Sequence, residues 1–439
     1  MPHVALISLS GFRICEAELM QFGMTLPGFQ ERIQALSALP ALGLLTLAGQ
    51  TPAHWTCSYH APSQVTEELT EQIVAEAPHL VAISALTASI KDAYALSDRL
   101  RRCGIRTVLG GLHVTTCHAE ALQHADCVVT GSGEAVWQEL LSDAENDALQ
   151  TEYRVPRAML KAHPWPVPRF DLLGNVPRYT LQTQRGCPLA CDFCAASRLL
   201  ETFREKPAAA IGQELQAIKK LSRDPLIELA DDNTFVGHRN MDEFLDLFEQ
   251  SGVRWFTESD WRLGERKELL PRLAAAGCLQ ILMGIESIVL RYPGMGGKQA
   301  ELDRILDAVE EIQAAGVAVN ACFILGADGE TRESMDRLTA FLLEAPFADV
   351  QVTLQTPFPG TMLRQRLQRE RRLLSERGWP YYSLFEVTYQ PDCLSVAELE
   401  FGFREVMANV FGPAATQRRQ RHRTSIWRQN PRLAGSRFS

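Results

Sequence analysis

The sequence lacks the segments that direct a protein into or across a membrane. Met1 to Leu9 contains no lysine or arginine and no cleavage site of the kind that ends a signal peptide. One long stretch, from Ile33 to Trp55, contains no Asp, Glu, Lys or Arg, and polar residues, glycine and proline interrupt it. This stretch predicts a packed helix rather than a membrane span. We therefore expect the protein in the cytoplasm.

Positive charge is also scarce. The 439 residues include 44 Lys and Arg against 53 Asp and Glu, and the net charge of −9 gives no reason to expect nucleic acid as a partner. The sequence shows no repeat of fixed period. Hydrophobic residues make up 46% and charged residues 22% of the chain, which is the balance of a soluble globular protein with room for two or three domains.

Paired cysteines are not expected either. The chain has eleven cysteines, an odd number, and no secretion signal, which predicts reduced thiols rather than a disulfide framework. Five of them stand alone among apolar or small residues and are predicted to be buried core thiols: Cys103, Cys117, Cys127, Cys278 and Cys322.

Sequence patterns divide the chain into four parts. Residues 1–146 alternate short apolar runs with helical spacing, which predicts a doubly wound, Rossmann-like α/β domain with a parallel sheet. Residues 147–176 are rich in proline and predict an extended linker. Residues 177–370 hold six further strand–helix repeats, as in a partial (β/α)6 barrel of the TIM type. Residues 371–439 predict a small α-rich segment that ends in a basic tail.

Three cysteines lie close together directly after the first strand of the predicted barrel. Cys187, Cys191 and Cys194 fall within eight residues, and this spacing fits an iron–sulfur cluster in which one iron has no protein ligand. The next cysteine, Cys278, is far away in sequence, so no fourth ligand is evident to complete an electron-transfer or zinc site. The open iron leaves a position for a substrate or cofactor. The alternative is a zinc loop or a group of core thiols.

This CxxxCxxC pattern, with Phe193 before the last cysteine, resembles the signature of the radical S-adenosylmethionine (SAM) superfamily. The resemblance implies a [4Fe-4S] cluster whose free iron chelates SAM, and reductive cleavage of SAM to a 5′-deoxyadenosyl radical. It also implies an external electron donor of the flavodoxin or ferredoxin type. Phe193 is expected near the adenine of SAM.

Further matches to the superfamily lie at successive strand ends between Tyr179 and Arg371. Taken alone, the match at Asp231 to Asn233 could instead be a helix N-cap, and the match at Glu258 to Arg262 could instead be a solvated loop. A buried Glu286 would need a polar partner. The residues that the resemblance implies for SAM binding are Asp231, Asp232, Asn233, Glu258, Ser259, Arg262, Gly284, Glu286 and Gly326.

Two glycine-bearing turns follow predicted strands of the first domain, at the sheet edge where doubly wound folds bind ligands. Ordinary strand–helix connections also use glycine. Placed ahead of a radical SAM core, however, these turns resemble the cobalamin-binding domain of B12-dependent radical enzymes. The resemblance implies the following cobalamin-binding residues: Ser84, Thr87, Gly110, Gly111, His113, Gly131, Gly133 and Glu134.

One departure from cobalamin proteins concerns the cobalt ligand. None of the ten histidines has an aspartate two places before it, so the Asp-x-His-x-x-Gly motif that supplies a cobalt ligand is absent. The lower face of cobalt is therefore expected to be left to water or another side chain. For His113 the favoured interpretation is a satisfied loop histidine.

The segment after Phe385 resembles the tail of a subgroup that includes hopanoid methylases. Its basic run, Arg418 to Arg423, would attract anionic lipid headgroups in a peripheral membrane contact. A solvated, disordered end is the favoured interpretation.

These resemblances predict a cobalamin-dependent radical SAM methyltransferase that acts on an unactivated carbon of a lipid or natural-product intermediate. One SAM would methylate cobalt and a second would form the radical, while the protein orients the cofactors and excludes water. Two alternatives remain. The first is a radical SAM enzyme that catalyses cyclisation, ring contraction or rearrangement. The second is an iron–sulfur electron-transfer protein.

Overall fold

A computed structural model describes residues 1–9, 13–28, 30, 39–156, 164–195 and 203–433 of the chain. Two parallel sheets of six strands each form the framework. The α/β class predicted from the sequence is confirmed. Among the described residues, no helix is both long and apolar enough to cross a bilayer.

The first sheet is parallel throughout and has the order β2-β1-β3-β4-β5-β6. Both of its faces are covered, which is why its strands read as continuous apolar runs. Ile7 and Ile83 pack into the core on one face, whereas Leu6 and Ala82 pack into the core on the other. The strands are β1 (His3–Leu9), β2 (Thr56–His60), β3 (Leu80–Ala85), β4 (Thr107–Gly110), β5 (Cys127–Thr130) and β6 (Glu152–Arg154).

Seven helices accompany this sheet in the part of the chain that is described. The second begins at Leu42, inside the stretch predicted as a packed helix; residues 33–38 of that stretch lie outside the described residues. Strand β6 lies within the proline-rich stretch predicted as a linker and extends the first sheet to Arg154. The helices are α1 (Ala17–Thr25), α2 (Leu42–Gln50), α3 (Glu67–Ala75), α4 (Ile90–Arg102), α5 (Leu112–Thr116), α6 (His118–Ala121) and α7 (Trp137–Glu145).

The second sheet forms the partial barrel, and all six predicted strands are present. Its order is β14-β13-β12-β11-β10-β7, every pair is parallel, and the two outer strands are not paired with each other. A short antiparallel pair, β8 (Gln184–Arg185) and β9 (Arg204–Glu205), flanks it. The barrel strands are β7 (Tyr179–Leu181), β10 (Leu226–Leu229), β11 (Arg254–Ser259), β12 (Cys278–Glu286), β13 (Ala318–Leu325) and β14 (Asp349–Leu354).

Helices on the outside of the barrel strands bury one apolar face each. In α9, for example, Phe244 and Phe248 are buried, Asn240 caps the helix start through Asp242 N–H at 3.0 Å, and Gly252 ends it with φ +68°. The described helices here are α8 (Ala208–Leu221), α9 (Met241–Ser251), α10 (Leu270–Ala275), α11 (Leu302–Ala314), α12 (Arg332–Glu344) and α13 (Met362–Arg369).

The basic tail is ordered, which corrects the expectation of a disordered end. It forms helix α15 (Pro413–Trp427), which follows α14 (Val396–Val410), and then passes under the start of the barrel strands. Asn430 is fully buried and donates to the carbonyls of Cys278 and Gly316, both at 3.0 Å. Because Arg419 and Arg423 both lie against Asp349, two cations of the basic run are engaged by protein rather than by lipid.

A half-buried carboxyl on β10, that of Glu228, is expected to make the stability of the protein depend on pH. Burial raises the pKa of Glu228 to about 7, although Arg178 opposes the rise. The unfolded chain ionises this group near its ordinary pKa, so the carboxyl costs stability as the pH rises from about 4.5 to 7. We expect Glu228→Gln to be more stable than the unaltered protein by roughly 2 kcal/mol at pH 8. Urea unfolding at pH 5 and pH 8 would measure this; an equal gain at both values would contradict it.

Candidate active site

The loop that follows β7 and β8 brings the three cysteines to one cavity at the carboxyl ends of the barrel strands. Cys187, Cys191 and Cys194 all line this cavity, which has a volume of about 280 Å³ and is called the cysteine cavity below. A second loop holds them in place, because Gly294 accepts from Ala190 N–H at 3.2 Å. Gly294 has φ +80°, and a Cβ there would lie 1.9 Å from the Ala190 carbonyl oxygen. Only glycine permits this approach.

The thiols suit an iron–sulfur cluster better than a single metal ion. Burial raises the pKa of Cys191 to about 11 and also raises that of Cys187, and Lys298 opposes both shifts. Among the described residues, no three His, Cys, Asp or Glu side chains converge closely enough to hold one ion. A cluster needs no such convergence, because three of its irons each take a separate thiolate. Uptake of a cluster would release the thiol protons.

The opposite wall of the cysteine cavity contains a buried ion pair that the sequence analysis did not find. Lys298 donates to Glu286, and their side chains are 13% and 8% exposed. Glu286 has φ +70°, a strained conformation for a residue other than glycine. A Cβ on Gly284 would lie 2.3 Å from Lys298 Nζ, so that position must be glycine while the pair is formed. The pair thus accounts for the glycine at position 284 and is formed by the strained Glu286.

Most of the residues predicted for SAM binding line this cavity, but three do not. Asp231 is occupied by the backbone, since its carboxylate accepts from the N–H groups of Thr183 at 2.7 Å and Gln184 at 3.0 Å. Arg262 is held by Asp260, and Gly326 packs against Tyr389. The predicted residues that do line it are Phe193, Asp232, Asn233, Glu258, Ser259, Gly284 and Glu286.

A second cavity of about 400 Å³ lies between the carboxyl edge of the first sheet and the barrel. It is called the interdomain cavity below, and most of its described lining is apolar or glycine. Gly111 has φ +110°, and a Cβ there would lie 3.0 Å from Ser84 Oγ; at Gly131, with φ +88°, a Cβ would lie 2.8 Å from the Val155 carbonyl oxygen. Because these glycines have no side chain, little projects from the sheet edge into the cavity, as binding of a broad, flat ligand requires. Six predicted residues line the cavity: Ser84, Gly110, Gly111, Gly131, Gly133 and Glu134.

The other two predicted cobalamin residues, Thr87 and His113, do not line the cavity. His113 is buried, its Nδ1 lies 3.3 Å from Thr87 Oγ1, and its ring packs edge-on to Trp379 with centroids 4.9 Å apart. Burial and the nearby Arg364 lower the pKa of His113 to about 4. It therefore packs the first domain against the C-terminal segment as a neutral histidine.

An ion pair connects the wall of the interdomain cavity to the cysteine loop. Glu134, at the glycine turn after β5, accepts from both terminal nitrogens of Arg185, one of them at 2.5 Å. Their side chains are 7% and 14% exposed, and Arg185 stands two residues before Cys187. Bidentate pairing of this kind fixes orientation as well as distance. The ion pair thereby fixes the position of one cavity relative to the other.

The two cavities meet at a single carboxylate. Among their described lining residues, only Asp232 belongs to both. Burial and the neighbouring Asp231 raise its pKa to about 6.

Comparison with known families assigns both halves of this arrangement. A family model described as the B12 binding domain matches residues 32–141, and one described as the radical SAM superfamily matches residues 181–342. The chain therefore contains a B12 binding domain followed by a radical SAM domain. Most lining residues of the interdomain cavity lie in the B12 binding match, and the cysteine loop lies near the start of the radical SAM match.

Similar proteins include methyltransferases and a cyclase. Bacteriochlorophyllide d C-8(2)-methyltransferase of Chlorobaculum tepidum is 25% identical, and the match covers 80% of each chain. Hopanoid C-2 methylase of Rhodopseudomonas palustris is 24% identical, over 77% of this chain and 66% of that protein. Anaerobic magnesium-protoporphyrin IX monomethyl ester cyclase of Rubrivivax gelatinosus is 22% identical, over 76% and 66%. The hopanoid methylases expected from the sequence are thus among the relatives.

Two solved cobalamin-dependent radical SAM structures share the fold. The radical enzyme OxsB, solved with aqua-cobalamin bound, superposes with a TM-score of 0.67 at 14% identity; it covers 92% of this chain, which spans 66% of OxsB. The methyltransferase TsrM of Kitasatospora setae, solved with cobalamin and a [4Fe-4S] cluster, has a TM-score of 0.65 at 12% identity, over 94% of this chain and 90% of TsrM.

Three further cysteines of this radical SAM enzyme depart from the prediction of buried core thiols. Cys103 is exposed and Cys117 is half-buried, whereas Cys127 and Cys278 are buried as predicted. Cys322, on β13, lines the cysteine cavity, with its sulfur 3.5 Å from Gln351 Oε1. Nothing in the local sequence of Cys322 indicates this, because strand pairing alone brings it to the site.

The interdomain cavity predicts how cobalamin would be held by this enzyme. Its described lining contains no imidazole, thiol, thioether, phenol or amine, so none of these residues would supply a strong ligand to cobalt. We expect uniform ¹⁵N labelling of the protein to leave the electron paramagnetic resonance spectrum of bound cob(II)alamin unchanged. A change in nitrogen splitting on labelling would reveal a protein ligand and contradict the expectation. The His113→Asn variant should likewise give an unchanged electron paramagnetic resonance spectrum of bound cob(II)alamin.

Proposed function

We propose that this enzyme transfers a methyl group from SAM, by way of cobalamin, to an unactivated carbon of an apolar polycyclic molecule. The observation that supports the proposal is that Asp232 lines both cavities, so the proposed cobalamin site and the proposed SAM site adjoin at this residue. When bound, the cluster, SAM and cobalamin supply an electron, a carbon-centred radical and a transferable methyl group. An external donor of the flavodoxin or ferredoxin type would reduce the cluster.

The chain's own residues hold these groups in place. Cys187, Cys191 and Cys194 would bind the cluster, and the Glu134–Arg185 pair keeps their loop in register with the first domain. Buried apolar walls would exclude water from the reacting groups. We assign Phe193, Asn233, Glu258, Ser259, Gly284, Glu286 and Lys298 to the SAM site, and Ser84, Gly110, Gly111, Gly131 and Gly133 to the cobalamin site.

The class of substrate is inferred from the relatives and from the lining. Relatives with known activity act on tetrapyrroles or hopanoids, which are large fused or linked ring systems of low polarity. The described lining of the interdomain cavity is likewise mainly aliphatic and glycine. We therefore propose a polycyclic lipid or a ring-containing natural-product intermediate rather than a charged metabolite.

Labelled SAM tests the proposal. The anaerobically reconstituted enzyme, with cobalamin, a reductant and SAM carrying a deuterated methyl group, is incubated with a small-molecule extract of the cells that make the protein. We expect 5′-deoxyadenosine and a product that carries the deuterated methyl group. Product without label, together with 5′-deoxyadenosine, would instead favour cyclisation or rearrangement, as the cyclase relative suggests. Absence of both would indicate electron transfer alone.

A further inference from the structure

The loop that carries the three cysteines lies against two exposed segments of the barrel. Asp192, which directly follows Cys191, donates its N–H to the Pro293 carbonyl at 3.1 Å. The Asp192 carbonyl accepts from the N–H of Leu363, at the start of α13, at 3.0 Å. Pro293 and Met362, which precedes Leu363, are both exposed. A stretch of protein surface therefore borders the cysteine loop, outside the described lining of both cavities.

Apolar side chains are exposed on both of these segments and on the loop itself. Met362 is 56% exposed, and Val289, four residues before Pro293, is 42% exposed. Pro188, next to Cys187, is exposed as well. Exposed apolar residues that gather around one loop of a soluble protein mark a surface that another molecule covers.

Positive charge is concentrated in the same place. Residues 362–372 contain five arginines and one glutamate, in a chain whose net charge is −9. Three of the five are engaged within the protein. Arg364 donates to a tyrosine hydroxyl at 2.8 Å, and Arg366 and Arg372 both pair with Asp328.

The other two arginines, Arg369 and Arg371, are exposed, and neither pairs with a carboxylate of the described residues. Met362, Gln365 and Arg369 follow one another at helical spacing and are all exposed, so they share the outer side of α13. Arg371 has φ +58°, which is uncommon for a residue with a side chain. A helix C-terminus favours nearby cations, but this effect does not account for the exposed apolar residues beside them.

Apolar residues edged by unpaired cations, beside a redox site, fit a small acidic electron-transfer protein. Opposite charges steer such a partner to its site, and a contact that must release it after each electron is small. We infer that Val289, Pro293, Met362, Arg369 and Arg371, called the donor face below, form the docking surface for an acidic electron donor of the flavodoxin or ferredoxin type. The inference rests on the proposed function and adds to it the place where the electron enters.

One electron crosses the donor face in each encounter. With a flavodoxin, the anionic flavin hydroquinone is oxidised to the neutral semiquinone while the oxidised cluster gains one electron, and no proton is transferred. A small reductant such as reduced methyl viologen needs no docking surface and has no negative charge. The two donors therefore separate docking from every later step.

The experiment mixes the anaerobic enzyme, loaded with cluster and cobalamin, with increasing concentrations of reduced flavodoxin or of reduced methyl viologen. Rapid freezing and the electron paramagnetic resonance signal of the reduced cluster give the rate. We expect the double variant Arg369→Gln, Arg371→Gln to need a roughly tenfold higher flavodoxin concentration for the half-maximal rate, with the viologen rate unchanged. Added salt should slow the unaltered enzyme more than the variant, because salt screens the attraction that the variant has lost.

The matched control is the double variant Arg102→Gln, Arg337→Gln. It removes the same charge at two exposed arginines, on α4 and α12, that also lack a carboxylate partner among the described residues. It should leave both rates unchanged. Arg369→Lys with Arg371→Lys keeps the charge and should retain most of the rate with flavodoxin.

Three results would overturn the inference: no loss with flavodoxin, an equal loss with viologen, or an equal loss in the control. Binding to vesicles of anionic lipid that the Arg369→Gln, Arg371→Gln variant alone loses, with its flavodoxin rate intact, would assign these arginines to a lipid surface instead. Iron content shows whether each variant is folded and loaded. Because cluster reduction is measured, a failed labelled-methyl assay with an intact flavodoxin effect would remove the methyl-transfer function but leave the donor face.

Discussion

Replacing Cys191 by alanine is expected to remove the iron–sulfur cluster and, with it, the cleavage of SAM. Cys191 is the most buried of the three clustered thiols and lies where its loop is anchored to Gly294 and Pro293. With two thiolates left, the cluster loses a third of its protein ligands. We expect iron content below roughly a tenth of that of the unaltered protein after anaerobic reconstitution, with no detectable 5′-deoxyadenosine.

The matched control is Cys103→Ser, which removes an exposed thiol at the C-terminal end of helix α4. It should retain full iron content. Iron retained by Cys191→Ala would show that this thiol has only a packing role, and would return the triad to the interpretation of core thiols.

Filling the glycine edge of the interdomain cavity is expected to expel cobalamin while sparing the cluster. Gly133 has an ordinary backbone conformation, and a Cβ there would make normal contacts of 3.7 Å with Leu47 and 3.8 Å with Val129, both of which line the cavity. A larger side chain would project further into the space. We expect Gly133→Leu to weaken cobalamin binding by roughly 10- to 100-fold, since overpacking typically costs 1–3 kcal/mol.

Gly133→Ala should fall between the unaltered protein and Gly133→Leu, because a single methyl group fits beside Leu47 and Val129. Cobalamin retained after gel filtration, measured from its visible spectrum, gives the affinity order. Iron content serves as the internal control, because Gly133 lies on the first domain. If the leucine variant retained cobalamin fully, the interdomain cavity would not be the corrin site.

The fold was largely predictable because its periodic signals are strong. The barrel strands alternate with amphipathic helices, so the six strand–helix repeats predicted in residues 177–370 are all present. Strand β2 was missed, since Thr56 to His60 alternates polar residues at an edge of the sheet. The basic tail was misjudged for a similar reason: its order comes from Asp349 and from strand carbonyls that are distant in sequence.

The candidate site was predictable only where its residues are consecutive. The cysteine spacing and the glycine turns are local patterns, and the structure brings them to two adjoining cavities. Lys298 escaped notice because its role depends on contact with Glu286, twelve residues away, and nothing local marks it. Conversely, Asp231 and Arg262 belong to motifs that match the superfamily, but their side chains form hydrogen bonds within the protein and stabilise its structure.

The anchoring of Asn430 has a consequence for the synthesis of the protein. Its amide completes hydrogen bonds to carbonyls at the starts of β12 and β13, about 150 and 114 positions earlier in the chain. On the ribosome the first sheet has all of its strands once Arg154 has emerged, but the barrel lacks this closing contact until nearly the whole chain is made. We expect the first domain to fold before the barrel, so that its glycine edge stays exposed until the barrel has formed.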